Sequence, residues 1–276
     1  MTAPVWKSQN NHAIENTRPR DIRLFAGSHT IHILSTMLAA TTTDTLSVVD
    51  IVLLKKGPSS VPSCLDLVGA PVASSWSPEN ASLYIASSRT IHKYDATSNA
   101  LREIYTVSGS DSISSSTVKD KNTIIFSIGN HIHKLDYSRP ETPLTETFDS
   151  HKTPVRFLAL SNDNTLLAST SAGVVHIHNV ASGSLTVLRG LPTISSDIDS
   201  ILFHVHSRTR LLISIARQIL VYDTARPSGP TKTIPLSESA AGDIVAAACS
   251  PFSKTLVAVA TSLGFVAMID LEKEKA

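Results

Sequence analysis

Apolar and polar residues alternate in short runs along most of this chain, and the runs repeatedly end on an acid or its amide. The pattern reads IHKYD at 91–95, HIHKLD at 131–136, VHIHN at 175–179, QILVYD at 218–223 and FVAMID at 265–270. Alternation with a period of two over five or six residues is the signature of a half-buried β-strand, and no window sustains the 3.6-residue apolar period of a helix. The closing residues Asp95, Asp136, Asn179, Asp223 and Asp270 succeed one another at intervals of 41, 43, 44 and 47 residues. A sixth, weaker copy, TIHILS, is read at 30–35.

The stretch 153–190 shows what one period contains. Residues 155–160 predict a strand, 161–164 a turn of residue types that hydrogen-bond their own backbone, and 165–170 a second strand. A turn at 171–173, a third strand at 174–180, a loop at 181–184 and a fourth strand at 185–188 complete the unit. The same order recurs at 71–108, 112–148, 197–236 and 243–271. Four antiparallel strands repeated at this spacing predict an all-β chain built as a β-propeller of four-stranded blades, six visible and seven possible. The expected organisation is an N-terminal segment at 1–20, a propeller at 21–271 and a charged tail at 272–276. The last unit stops after its third strand, so either residues 4–8 close it or the chain is cut short with an open edge. The 60 residues between Ser35 and Asp95 read as one blade plus an insertion, with 57–63 as its loop.

Composition narrows the function. Apolar residues are 42% and charged residues 17% of the 276, too hydrophobic for disorder, while 5% aromatics predict a core of Val, Ile, Leu and Ala. The 24 Lys and Arg nearly balance 23 Asp and Glu, without a run of like charge, which argues against nucleic acid and anionic membranes as partners. Cys64 and Cys249 sit in apolar settings, as buried free thiols do. The first 20 residues lack the apolar core of a secretory signal, and the most apolar stretch, 256–269, is too short to span a bilayer. The expectation is a soluble, cytoplasmic protein.

The four-strand unit, its period and the pairs Tyr94-Asp95 and Tyr222-Asp223 resemble WD repeats over residues 20–271. The family's Trp position holds Tyr94, Leu135, His178, Tyr222 and Ile269, and its Gly-His survives only as Ser150-His151. The family places an Asp in the turn before the third strand, bonded in a network with that His and Trp. Here those turns carry Arg89, Asn130, Ala172, Arg217 and Leu263, so the resemblance implies a lost network and blades held by apolar packing. Within the family, DIRLFAGSHTIHI at 21–33, DSHKTPV at 149–155, 201–223 and SPFSKTL at 250–256 are similar, in order, to the WD-repeat proteins that target the γ-tubulin ring complex to centrosomes and spindles. That resemblance implies a targeting propeller alone, with γ-tubulin complexes or spindle-pole components as partners.

Candidate chemistry is sparse. His131 and His133, His176 and His178, and His204 and His206 each place two imidazoles on one strand face, a geometry metal sites use. The recurrence of His32, His92 and His133 at one place in the repeat reads as inheritance by duplication, and no third donor is evident, so no metal and no cofactor are expected. GxSxG, GxGxxG, HExxH and the phosphate-binding GxxxxGK loop are all missing, and no catalytic residue is assigned. The reading that remains is a non-enzymatic scaffold for other proteins, with Arg89, Asn130, Lys152, Asp197 and Arg217 on the loop face as contact residues. A metal-dependent or channel-based propeller enzyme using the paired histidines, and a truncated, marginally stable paralogue, are the alternatives.

Overall fold

The computed structural model describes the strand backbones within residues 30–66, then residues 71–273 except 78–81, 96, 99, 142, 149–150, 193–197 and 239. All regular structure among them is β, and no helix is long and apolar enough to cross a membrane. The chain forms two compact units, Met1–Ser108 and Gly109–Ala276.

The first unit holds two sheets in simple sequential order. One is β1 (Thr30–Ile33), β2 (Met37–Thr41), β3 (Thr45–Asp50) and β4 (Ser63–Asp66). The other is β5 (Pro71–Trp76), β6 (Ser82–Ser87), β7 (Thr90–Asp95) and β8 (Ala100–Thr106). The second unit holds three more four-stranded meanders. These are β9 (Ile113–Asp120), β10 (Thr123–Ile128), β11 (His131–Asp136) and β12 (Leu144–Phe148); β13 (Phe157–Leu160), β14 (Leu166–Ser171), β15 (Val174–Asn179) and β16 (Leu185–Val187); and β17 (Ile198–Phe203), β18 (Arg210–Ile215), β19 (Gln218–Asp223) and β20 (Lys232–Pro235). A three-stranded sheet, β21 (Ile244–Cys249), β22 (Leu256–Thr261) and β23 (Val266–Asp270), completes it. All neighbouring strands are antiparallel, so six blade-like sheets stand where the repeat predicts six.

One blade differs from the sequence reading. TIHILS is not a third-strand tail, because among the described residues Thr30–Ile33 is the first strand of its sheet and pairs with β2 alone. The third strand there is TLSVVD, whose Asp50 falls 45 residues before Asp95. His32 points to the wrong strand; the period and the closing Asp point to the right one. The inserted loop at 57–62 and the N-terminal segment at 4–8 lie outside the described residues.

The recurring acid has a local cause. Asp95 Oδ1 accepts the backbone N–H groups of Thr97 and Ser98 at 2.8 and 2.9 Å, and Asn179 Oδ1 those of Ala181 and Ser182 at 3.0 and 2.9 Å. Asp136, Asp223 and Asp270 likewise accept from Ser138, Ala225 and Glu272. Each closes an Asx turn at the end of a third strand, satisfying amides that no ladder reaches.

Packing explains the apolar second and third strands. In β18, Leu211, Ile213 and Ile215 join Ala159, Val175 and Ile177 of the preceding sheet, whereas Leu212 joins Val257 and Ile269 of the next. Alternate residues thus serve opposite faces of a sheet covered on both sides, which turns the period-2 pattern into a continuous run. A third core, of Ile125, Ile132, Phe148, Val155, Leu158 and Leu167, lies between the sheets β9–β12 and β13–β16. The first strands β9, β13, β17 and β21 approach one another in sequence.

Candidate functional site

The predicted contact residues differ in how free they are. Lys152 is exposed, and so is Arg89, whose Nη2 donates to the Val107 carbonyl at 3.4 Å. Asn130 and Lys152 are brought together, since Asn130 Nδ2 donates to the His151 carbonyl and the His151 N–H returns a bond to the Asn130 carbonyl, both at 2.9 Å. Arg217, in the β18–β19 turn, is half-buried, and its guanidinium donates to the carbonyls of Gly242 and Ser237 at 3.1 Å each. It fastens the link between β20 and β21 to the β18–β19 turn. Gly242 itself has φ 88, and a Cβ there would stand 2.9 Å from the Leu263 nitrogen, so only glycine fits beneath that clamp. Asp197 lies outside the described residues.

A more concentrated group sits between the sheets β9–β12 and β13–β16. His176 and His178 share one face of β15, and β14 places Ser169 directly opposite His176. His151 enters from the link between β12 and β13. Its ring stacks on that of His176 with centroids 3.9 Å apart and planes 13° from parallel, and Phe148 meets His178 edge-on at 5.7 Å. Ser169 Oγ lies 2.7 Å from His151 Nε2 and 3.2 Å from His178 Nε2, so one hydroxyl bridges both rings. The donor nitrogens of the three histidines all lie within 4.8 Å of one another. His151 and His178 are buried, while His176 is half-exposed. Burial, with the two neighbouring imidazoles, lowers His151 to about 4, so this ring is neutral at physiological pH.

Two sequence-based expectations change here. The blade is not held by apolar packing alone: His151, Ser169 and His178 form a buried hydrogen-bonded group, with His178 at the position read as the family's Trp and Ala172 at that read as its turn Asp. The paired histidines also gain a third donor, which the spacing of residues 176 and 178 alone does not show. The usable signal is His151, the remnant of Gly-His, at the repeat position that the family network joins to the Trp position. The other pairs stay pairs. His131 and His133 are 6.3 Å apart and His204 and His206 5.7 Å apart by ring centroid, and neither belongs to a three-donor group among the described residues.

The last sheet exposes apolar side chains along β23 and the turn before it. Val266 is 74% and Met268 56% exposed, with Leu263 and Phe265 beside them. Among the described residues no strand pairs with the outer edge of β23.

No family model matches the chain, and no curated protein sequence matches it. Many solved chains share its architecture. One, from the crystal structure of a mitotic checkpoint complex, superposes with a TM-score of 0.60 at 20% sequence identity, over 72% of this chain and 61% of that one. The chain therefore spans less than two thirds of the solved chain it matches. At that identity the likeness carries the fold, a WD-repeat-like β-propeller.

Proposed function

We propose that this chain is a non-catalytic protein-interaction module of the WD-repeat type, whose partner docks as an extended segment along β23. The observation that carries this reading is the outer edge of β23, with which no strand pairs among the described residues. A strand edge offers unpaired N–H and C=O groups, and Val266 and Met268, two residues apart, present an apolar stripe on one of its faces. An extended apolar segment from a partner satisfies both at once, the backbone giving affinity and the side-chain stripe giving register. Lys152 and Arg89 supply charged contacts elsewhere on the surface, whereas Arg217 is occupied in holding the fold.

The finer form of the reading is targeting of γ-tubulin complexes to the centrosome or spindle pole in the cytoplasm. It rests on the ordered resemblance of residues 21–33, 149–155, 201–223 and 250–256, and the similar solved chain comes from a multi-protein complex.

The test is pull-down of partners from purified spindle-pole and γ-tubulin components by the wild type and by a Val266→Lys, Met268→Lys double variant. The expected result is capture by the wild type and loss of about tenfold or more in the variant, with unchanged circular dichroism and Tm. Equal capture by both chains removes β23 as the docking edge. Protection of the β23 amides from hydrogen exchange in the isolated chain would show the edge already taken, and concentration-dependent dimers lost in the variant would make the occupant a second copy. Capture of other partners without γ-tubulin complexes removes only the finer reading.

A further inference from the structure

We propose that His151, His176 and His178 form a binding site for a divalent transition-metal ion, with Zn²⁺ as its representative. The three side chains come from two places in the chain, the β12–β13 link and β15, and converge in the cleft between two sheets. Their donor atoms lie within 4.8 Å of one another, whereas a tetrahedral ion with Zn–N bonds of about 2.0–2.1 Å asks for about 3.3 Å between donors. The His151 and His176 rings now stack nearly parallel, so ion binding requires them to turn until their nitrogens converge.

The chemistry of the group fits this use. Imidazole binds borderline ions such as Zn²⁺ through the lone pair of its neutral form. Three neutral nitrogens leave the ion its charge and one open position. His176 is the least buried of the three ligands. Ser169 marks the competing state. Its hydroxyl donates to the Nε2 lone pair of one of His151 and His178 and accepts the Nε2–H of the other, so an ion held by both nitrogens displaces it and moves that ring's proton to Nδ1. Without the ion the rings are held together by Ser169; with it they are held by the metal.

This arrangement separates a built site from adventitious surface binding. Equilibrium dialysis of the whole chain against Zn²⁺, followed by elemental analysis, is expected to retain about one ion per chain, by the usual closed count of three protein ligands and one exchangeable one. His176→Ala, at a half-exposed position, should stay folded and weaken binding by about tenfold or more. Ser169→Ala should keep the ion, since it removes a competitor and no ligand, and His131→Ala should leave binding unchanged. Substituted Co²⁺ should give the intense visible bands of a tetrahedral site, lost in His176→Ala. Absence of retained Zn²⁺ overturns the proposal, as does affinity unchanged in His176→Ala or abolished in His131→Ala.

Discussion

Asp95 shows how much one side chain settles. One carboxylate oxygen receives two backbone N–H groups, those of Thr97 and Ser98, and the bond from Ser98, the largest of several causes, holds its carboxyl below the usual range. Asn179 makes the same pair of bonds without a charge, so the geometry of the acceptor matters more than its ionisation. Asp95→Ala is therefore expected to cost about 1 kcal/mol, read as a drop of about 2–4 °C in Tm, while Asp95→Asn should retain most of the stability. Equal losses in both variants would assign the effect to charge instead. The repeat of this residue is legible because the turn needs a short side-chain oxygen at one fixed place. The partners of His151 are not legible, because two of its neighbours lie 25 and 27 residues further on and are reached only through sheet packing.

At the scale of the element, strand existence follows from period-2 alternation, and boundaries differ by one or two residues. The fourth unit reads as strands at 155–160 and 165–170 and forms them at Phe157–Leu160 and Leu166–Ser171. Of the two residues before β13, one bonds to the β10–β11 turn of the preceding sheet and the other to the partner strand β14. Val155 N–H donates to Gly129, and Arg156 N–H to Thr170. The misread first blade has a similar cause, since alternation alone does not tell a first strand from a third. Inner strands carry the stability. Ile213, fully buried in β18, pairs with Ile201 and Leu220 and packs against the neighbouring sheet. Ile213→Ala should cost about 2–5 kcal/mol in denaturant unfolding, against a few tenths for Val245→Ala at a half-exposed position of β21. Comparable costs at the two sites would contradict the difference in burial between them.

For the whole molecule, acid should act in two stages. Burial lowers the pKa of His92 against the pull of Glu103, lowers that of His133 with help from His131, and lowers that of His204 with help from Arg210 and His206. A histidine whose folded pKa lies below its unfolded value of 6.5 takes up protons more readily when unfolded. Its stabilising contribution is thus complete above pH 6.5 and is lost as pH falls toward the lowered folded value. Asp95, Asp136 and Asp270 are lowered from 3.8, chiefly by the turn N–H groups of Ser98, Ser138 and Glu272, and their contribution is lost only as pH falls below 3.8 through the lowered values. Tm measured in metal-free buffer should decline first below pH 6.5 and again below about 4. A flat profile down to pH 4 would show that the buried imidazoles contribute nothing to the pH dependence.

The sequence by itself determined the all-β class, the blade period and the closing acid of each third strand, because each depends on residues close together in the chain. Only the tertiary structure decided that Arg217 is a clamp, that β23 shows an apolar edge, and that His151 joins His176 and His178 across a shared hydroxyl. Those depend on which faces meet when sheets pack, and a strand's alternation shows that it has two faces without showing what each one meets.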